Sequence, residues 1–203
     1  MNRLVASLAV LSLAACGAPP AEPEAPAQPS EPASAPATPA APGTPVSAAN
    51  KLTAQGYGPL RIGMTRAEIE TAMGPDADPE AVGGADPASC DMFRPERAPD
   101  GLLVMVEGGV LTSVWLSRNT AVETDRALNV GDPASEVKRV YGAAAEVMPH
   151  KYAPPPAEYV TVWSTTDHRS AAARGLTYEI GQDGRVQSIA GGGPSIQYVE
   201  GCA

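Results

Sequence analysis

The chain is poor in aromatic and basic residues. Aromatic side chains make up 4% of its 203 residues, and 14 Lys and Arg stand against 23 Asp and Glu, which leaves a formal net charge of −9. Nucleic-acid binding needs a basic surface, so this charge excludes that class of partner. The chain has only two histidines, and neither belongs to a His-Glu-x-x-His motif. We therefore expect no metal site and no cofactor.

Signals of catalysis are also absent from the sequence. Asp167 and His168 are neighbours, but adjacent residues seldom orient each other's rings and no Gly-x-Ser-x-Gly elbow accompanies them. The acidic residues of the predicted strands and turns show no spacing that selects a catalytic pair. The segment Gly191-Gly-Gly-Pro194 lacks the Lys-Ser/Thr of a phosphate-binding loop. The sequence therefore predicts a protein that is not an enzyme.

The first 15 residues have the pattern of a secretory signal peptide. A short basic tip precedes an apolar run that is too short to span a bilayer. The junction Leu13-Ala-Ala-Cys16 resembles the lipobox of bacterial lipoproteins, which implies cleavage after Ala15 and acylation of Cys16, with palmitate among the usual chains. Gly17 stands where an aspartate would retain such a protein in the inner membrane, so the resemblance implies the periplasmic face of the outer membrane. The alternative is an ordinary signal peptide followed by an incidental cysteine.

Residues 16–50 are almost wholly Pro, Ala, Ser, Thr, Glu and Gly. Such a composition cannot bury enough apolar surface to fold, and its prolines favour an extended, semi-rigid chain. We interpret this segment as a disordered tether, of which about thirty residues at about 3.1 Å each would reach roughly 90 Å when fully extended. The alternative is a ligand for a proline-reading domain or for the cell wall.

Two similar helix patterns follow. Thr65 and Glu68 form a capping box, Ile69, Ala72 and Met73 share one helical face, and Gly74 suits a helix end. The layout returns at residues 128–142, where Asp132 is the predicted cap, Pro133 takes the first helical position and Val137 replaces Ile69. Arg66 and Lys138 lie off the apolar stripe and are expected to face solvent.

Each predicted helix is followed by the pattern of antiparallel strands. A strand is predicted at 89–93 and a hairpin over 101–116; a strand at 159–163 and a hairpin over 176–189 follow the second helix. Gly191 to Gly193 suggest a bulge or a tight crossing before a last strand. The fold class is α+β, with two tandem helix-plus-antiparallel-sheet units at 51–120 and 121–203.

The first helix start, Gly63-Met-Thr-Arg-Ala-Glu-Ile69, resembles the Gly-Met-Thr-x-x-Glu-[Ile/Val] motif of small lipoproteins of the BamE/SmpA class and of the β-lactamase inhibitory protein. The segment from Gly131 to Val137 is a looser copy. The resemblance implies a non-catalytic, lipid-anchored binding or scaffold protein whose partner is an envelope protein of unknown identity. Inhibition of a periplasmic hydrolase is one alternative, and a cell-wall-acting enzyme is another. The domain also resembles uncharacterised bacterial lipoproteins of this build.

Two further features concern the folded domain. If Cys16 is lipidated, Cys90 and Cys202 are left as a pair in an oxidising compartment, which predicts a disulfide over the alternatives of free or redox-active thiols. The proline-rich segment from Pro149 to Pro156 contains His150, Lys151 and Tyr152. It could be a binding rim with an aromatic anchor, or equally a structural turn.

Overall fold

The computed structural model describes residues 50–81 and 83–202. The predicted signal peptide, the predicted lipidation site Cys16 and all of the predicted tether up to residue 49 lie outside these residues. The described chain is α+β, with two α-helices, a seven-stranded antiparallel sheet and a small two-stranded sheet. None of the helices in this part of the chain has the length and apolar character of a membrane-spanning segment.

In chain order, the elements are β1 (Leu52–Thr53), β2 (Gly56–Tyr57), α1 (Arg66–Met73), β3 (Cys90–Phe93), β4 (Leu102–Glu107), β5 (Val110–Ser117), α2 (Ala134–Tyr141), β6 (Glu146–Pro149), β7 (Glu158–Trp163), β8 (Gly175–Ile180) and β9 (Val186–Gly192). Short 3-10 helices cover Gly142–Ala144 and Pro194–Gln197.

The large sheet has the strand order β3-β4-β5-β9-β8-β7-β6. Both predicted hairpins and both predicted single strands are confirmed, to within one to three residues at their ends. Strands β5 and β9 pair side by side in the middle, so the sheet continues across the boundary predicted at residue 120. The sequence did not indicate β6, because all four of its residues are exposed and show no alternation.

Helix α1 begins as predicted. The Thr65 side chain accepts a hydrogen bond from the Glu68 backbone N–H, and the Glu68 carboxylate accepts bonds from the backbone N–H and hydroxyl of Thr65. These bonds from Thr65 lower the pKa of Glu68 below its usual value, because they favour the ionised carboxylate. Gly74 ends the helix with a φ of 88°, which a glycine adopts without strain.

The predicted start of α2 is wrong by one residue. Its cap is Pro133 and not Asp132, and no side chain bonds to the first free N–H groups. Pro133 has extended backbone angles, φ −70° and ψ 143°, so the first helical residue is Ala134. The Asp132 carboxylate points the other way along the chain and accepts a bond from the Asn129 N–H at 2.7 Å.

The core lies between the helices and one face of the large sheet. Ile69 and Val137 are fully buried, as their equivalent positions predict, and both belong to one continuous apolar cluster. Met73 is buried beside Ile69, and Ala72 packs at the edge of the cluster. Tyr178 reaches into the same core from β8, and its hydroxyl lies 2.8 Å from that of Tyr141 at the end of α2. Burial raises the pKa of Tyr178 above its ordinary value.

Arg66 is only partly exposed, although the sequence predicted a side chain that faces solvent. Its Nη1 lies 2.5 Å from Asp91 Oδ2, its Nε lies 3.2 Å from Glu70 Oε1, and its guanidinium stacks 4.1 Å above the Phe93 ring. Burial opposes the charge of Arg66, but the bonds and attraction of Asp91 and Glu70 outweigh it and raise the arginine pKa. The side chain therefore ties α1 to strand β3, a contact that helical periodicity alone does not indicate.

The segments that lead into the two helices make matching backbone contacts. Each places a glycine of positive φ, Gly63 at 97° and Gly131 at 96°, against the beginning of a strand. The bonds are Gly63 N–H to Leu111 O, Leu111 N–H to Met64 O, Gly131 N–H to Val186 O and Val186 N–H to Asp132 O, all between 2.7 and 2.9 Å. The two halves thus have the same pattern of backbone hydrogen bonds before α1 and α2.

Gly191 lies at a tight crossing, which was one of the two structures predicted for the glycine run. A Cβ at this position would lie 2.5 Å from the Thr53 carbonyl oxygen, so β1 crosses close over β9. Gly191 and Gly192 are themselves part of β9. The prediction of a last strand after these glycines is wrong, because the 3-10 helix Pro194–Gln197 follows them.

Candidate binding groove on the open sheet face

The face of the large sheet that points away from the helices carries a groove. Cross-strand neighbours project to the same face, and one such row joins Thr161, Thr177 and Ala190 to Trp115 of β5. The next row joins Tyr159, Glu179 and Ser188. These side chains alternate with buried core residues such as Tyr178 and Ile189, so we name their side the open face.

The groove encloses about 320 Å³, within the usual range for binding pockets. Its floor consists of these two rows. Two segments border it: one runs from Met148 to Lys151, and the other is formed by Ile196 to Val199 of the C-terminal stretch (residues 193–202). Met148 and Tyr198 are each about half exposed, at 50% and 47%. The lining therefore combines accessible apolar and aromatic surface with a few polar groups.

His150 holds the loop that borders the groove. Its Nδ1 accepts hydrogen bonds from the backbone N–H groups of Tyr152 and Ala153, each at 3.1 Å. The proton of the neutral ring therefore lies on Nε2, which donates to Glu179 Oε1 at 3.1 Å. The ring also stacks on Tyr159 with a centroid distance of 4.7 Å. His150 thus fastens the loop to the floor of the sheet.

Glu179 connects the loop to β9. While its Oε1 bonds to His150, its Oε2 accepts a hydrogen bond from the Ser188 hydroxyl at 2.7 Å. A serine nucleophile needs its proton taken by a histidine that a carboxylate orients from behind. Here the carboxylate stands between the serine and the histidine, so this trio does not have the order that such chemistry requires. Burial and then the charge of Glu179 also raise the pKa of Tyr159.

Lys151 and Tyr152 lie at the rim. Lys151 lines the groove, and its ammonium sits 5.1 Å from the centre of the Tyr152 ring. Hydrogen bonding and attraction by Tyr152 raise the pKa of Lys151. Tyr152 is 59% exposed, and its hydroxyl donates to the Glu200 carboxylate, which joins the loop to the C-terminal stretch. Of the three residues singled out in the sequence, His150 has a positioning role, and the other two remain at the surface.

The disulfide predicted between Cys90 and Cys202 is present, with their Cα atoms 5.4 Å apart. It fixes the end of the C-terminal stretch to β3. The backbone at Gly201 passes close to β3, because a Cβ at this position would lie 2.2 Å from the Met92 sulfur. One border of the groove is therefore covalently secured to the sheet.

The remaining polar residues that the sequence suggested lie apart from the groove lining. His168 stacks on Trp163 at 4.8 Å, and its Nε2 lies 3.3 Å from Glu146. Asp167 does not orient His168, because its carboxylate accepts the backbone N–H of Arg169. Within residues 50–81 and 83–202, no three His, Cys, Asp or Glu side chains converge in a way that could hold a metal ion.

Sequence reasoning missed most of the groove. Trp115, Thr161, Thr177, Glu179 and Ser188 all lie in strands that were predicted, yet none was proposed as a site residue. The available signal was their alternation with large apolar residues, which places them on one face of each strand. What was missing was the pairing of β5 with β9, which brings these faces together.

The chain matches no family model, no curated protein and no solved structure. The functional inference therefore rests on the residues that form the groove.

Proposed function

We propose that this chain is a lipid-anchored binding protein of the bacterial envelope, which receives a segment of another envelope protein in the groove and catalyses no reaction. The supporting observation is the groove itself: a floor of sheet residues with two fixed borders and half-exposed Met148 and Tyr198 at its edges. Accessible apolar and aromatic anchors beside a few convergent polar groups are typical of recognition surfaces.

The polar contacts of the floor also favour binding over catalysis. Both ring nitrogens of His150 are engaged, and the Ser188 hydroxyl donates to Glu179, so neither is poised to transfer a proton to a substrate. The remaining lone pairs of the Glu179 and Ser188 oxygens would give an incoming peptide fixed acceptors without a costly rearrangement.

Met148 and its neighbour Val147 provide a matched pair for testing whether the partner binds in the groove. Met148 lines it, whereas Val147 on the same strand does not, and the two are 50% and 48% exposed. A photo-reactive amino acid at Thr177, on the groove floor, should capture an envelope protein in living cells. We expect Met148→Ala to reduce that capture about tenfold, because it removes an apolar anchor. Val147→Ala should leave it unchanged.

A photo-reactive residue at Arg139, on the helix side of the domain, is the control for chance encounters. Capture of the same partner from Arg139 and Thr177 alike, or equal losses from Met148→Ala and Val147→Ala, would contradict binding in the groove.

The anchoring part of the proposal rests on the sequence around Cys16. Lipidation there, on the tether that follows, would hold the domain at the periplasmic face of the outer membrane, since two or more acyl chains give stable attachment. We predict that Cys16→Ser releases the protein from the membrane fraction. Persistence of this variant in outer membrane washed with high salt would show that Cys16 is not the anchor.

The second candidate function is inhibition of a periplasmic hydrolase. It is favoured by the matching backbone bonds around α1 and α2, which support two tandem units of the BamE/SmpA or β-lactamase inhibitory protein kind, and by the sheet that runs through both. In this case the purified protein should inhibit a β-lactamase in a manner that depends on the exposed ring of Tyr152. Absence of inhibition at micromolar concentrations across a panel of periplasmic hydrolases would remove this candidate.

A further inference from the structure

A second pocket lies beside the C-terminal stretch. It encloses about 420 Å³ where the segment before α1, the beginning of β5 and the loop between β7 and β8 meet Gly193 to Ser195. Two arginines of that loop, Arg169 and Arg174, line it. In a chain with a net charge of −9, two guanidinium groups in one pocket form a local positive site.

The Ser195 hydroxyl is the most unusual polar group of this pocket. Ser195 is 3% exposed and lines the pocket, yet no atom of the described residues hydrogen-bonds to its Oγ. A buried hydroxyl without a partner costs roughly 1–3 kcal/mol, so proteins rarely keep one without a reason. The oxygen itself has almost no accessible surface, so the hydroxyl would reach a ligand in the pocket by turning about its Cα–Cβ bond.

The arginines have donors available for the same ligand. Arg174 is fixed in place by bonds from its Nη1 to the carbonyl oxygens of Ala171 and Ala173, at 2.9 and 2.7 Å, and this nitrogen lies 3.8 Å from the Cβ position of Gly193. No side-chain bond from its Nε or Nη2 to another described residue is present. The Arg169 side chain is exposed and likewise makes no hydrogen bond or ion pair within the described residues. Guanidinium groups bind carboxylates and phosphates through such parallel donors.

Glu107 narrows the choice of anion. It lines the same pocket, and its charge, together with burial and a hydrogen bond, raises the pKa of Tyr198. A carboxylate near the arginines repels a phosphate dianion more strongly than a single negative charge. We propose that this pocket binds a singly charged carboxylate, with Arg169 and Arg174 as its cationic partners and the Ser195 hydroxyl as a hydrogen-bond donor to it.

Calorimetric titration of the full-length protein at low salt tests this site with three probes. These are the dipeptide N-acetyl-alanyl-alanine with a free carboxylate, the same dipeptide as its carboxamide, and inorganic phosphate. The free acid should bind at least tenfold more tightly than the carboxamide, since loss of a charge-assisted hydrogen bond has an effect of that size. Equal binding of acid and carboxamide, or tighter binding of phosphate, would overturn the proposal.

Three variants assign the binding to these residues. Arg169→Met should weaken binding of the free acid about tenfold, and Arg139→Met, an exposed arginine on α2, should not change it. Ser195→Ala should weaken binding several-fold while leaving the thermal midpoint unchanged or higher, because it removes a hydroxyl that has no partner among the described residues. A lowered midpoint with unchanged binding would mean that the hydroxyl serves the fold, and unaltered affinity in Arg169→Met would likewise refute the site.

Discussion

At the scale of single residues, Arg66 makes tertiary contacts that its position on the helix did not predict. Position on the helix places it off the apolar stripe, yet its guanidinium joins Asp91, Glu70 and the Phe93 ring. Asp91 is only 8% exposed, so Arg66 pairs with a nearly buried carboxylate. A long amphipathic side chain can cover apolar surface and pair a charge at the same time.

We therefore predict that Arg66→Ala destabilises the fold by about 1–3 kcal/mol. The lower part of this range allows for solvent screening, because the arginine side chain remains 39% exposed, and the upper part reflects a nearly buried carboxylate left without its partner. Urea melts of the purified protein measure the change. Arg139→Ala is the control, since that side chain is 69% exposed and pairs with Glu136 on its own helix, and it should stay within about 0.5 kcal/mol.

A double-mutant cycle with Asp91→Asn separates charge pairing from packing on Phe93. If the loss from Arg66→Ala is the same in the Asp91→Asn background, the Asp91 ion pair contributes nothing, and the contacts with Phe93 and Glu70 account for the effect.

At the scale of elements, the two helices have the same length and the same buried position but different beginnings. Both are eight residues long, and Ile69 and Val137 are each fully buried in one cluster. Only α1 has a capping box, while α2 starts after Pro133 without a side-chain cap. Because short helices owe most of their stability to tertiary packing, the buried contact matters more than the cap.

Truncation at the two equivalent positions should therefore have similar costs. We predict losses of about 2–4 kcal/mol for Ile69→Ala and Val137→Ala, with the valine near the lower end because fewer methyl groups are removed. Denaturant melts followed by circular dichroism measure both. A neutral effect at either position would show that its helix does not pack on the shared core, and the tandem interpretation would lose its support.

At the scale of the whole molecule, the disulfide joins the first strand of the large sheet to the chain end. Cys90 and Cys202 are separated by 112 positions, so the bond closes a long loop. Restricting such a loop in the unfolded chain is worth about 4–5 kcal/mol in the chain-entropy model. The same bond secures the C-terminal stretch that borders the groove and contributes Ser195 to the second pocket.

We predict that Cys90→Ala with Cys202→Ala lowers the free energy of unfolding by up to about 4–5 kcal/mol and weakens partner capture from Thr177. Stability is measured by urea melts, and the bond itself by peptide mapping without reductant, which should find both cysteines in one linked fragment. Alkylation of both thiols in freshly isolated protein would contradict the bond, and unchanged capture in the double variant would show that the groove does not need it.

The sequence by itself determined what depends on neighbours along the chain. The capping box at Thr65, the glycine at the end of α1, the hairpins and the apolar stripe through Ile69 all follow from spacing, because local bonds and periodic faces decide them. One local error, the cap of α2, arose because the Asp132 carboxylate bonds to Asn129, a choice between two nearby partners that spacing does not resolve.

Only the tertiary structure decided which residues form a site. The pairing of β5 with β9 brings Trp115 beside Ala190, and the fold brings His150 to Glu179 and Arg174 to Ser195, although each pair is far apart in sequence. The pairing of β5 with β9 and the position of the C-terminal stretch depend on long-range contacts. Such contacts are selected by how buried faces fit together and not by any local preference. The physical reason is that a strand's alternation shows that it has two faces, while only packing determines which face remains open.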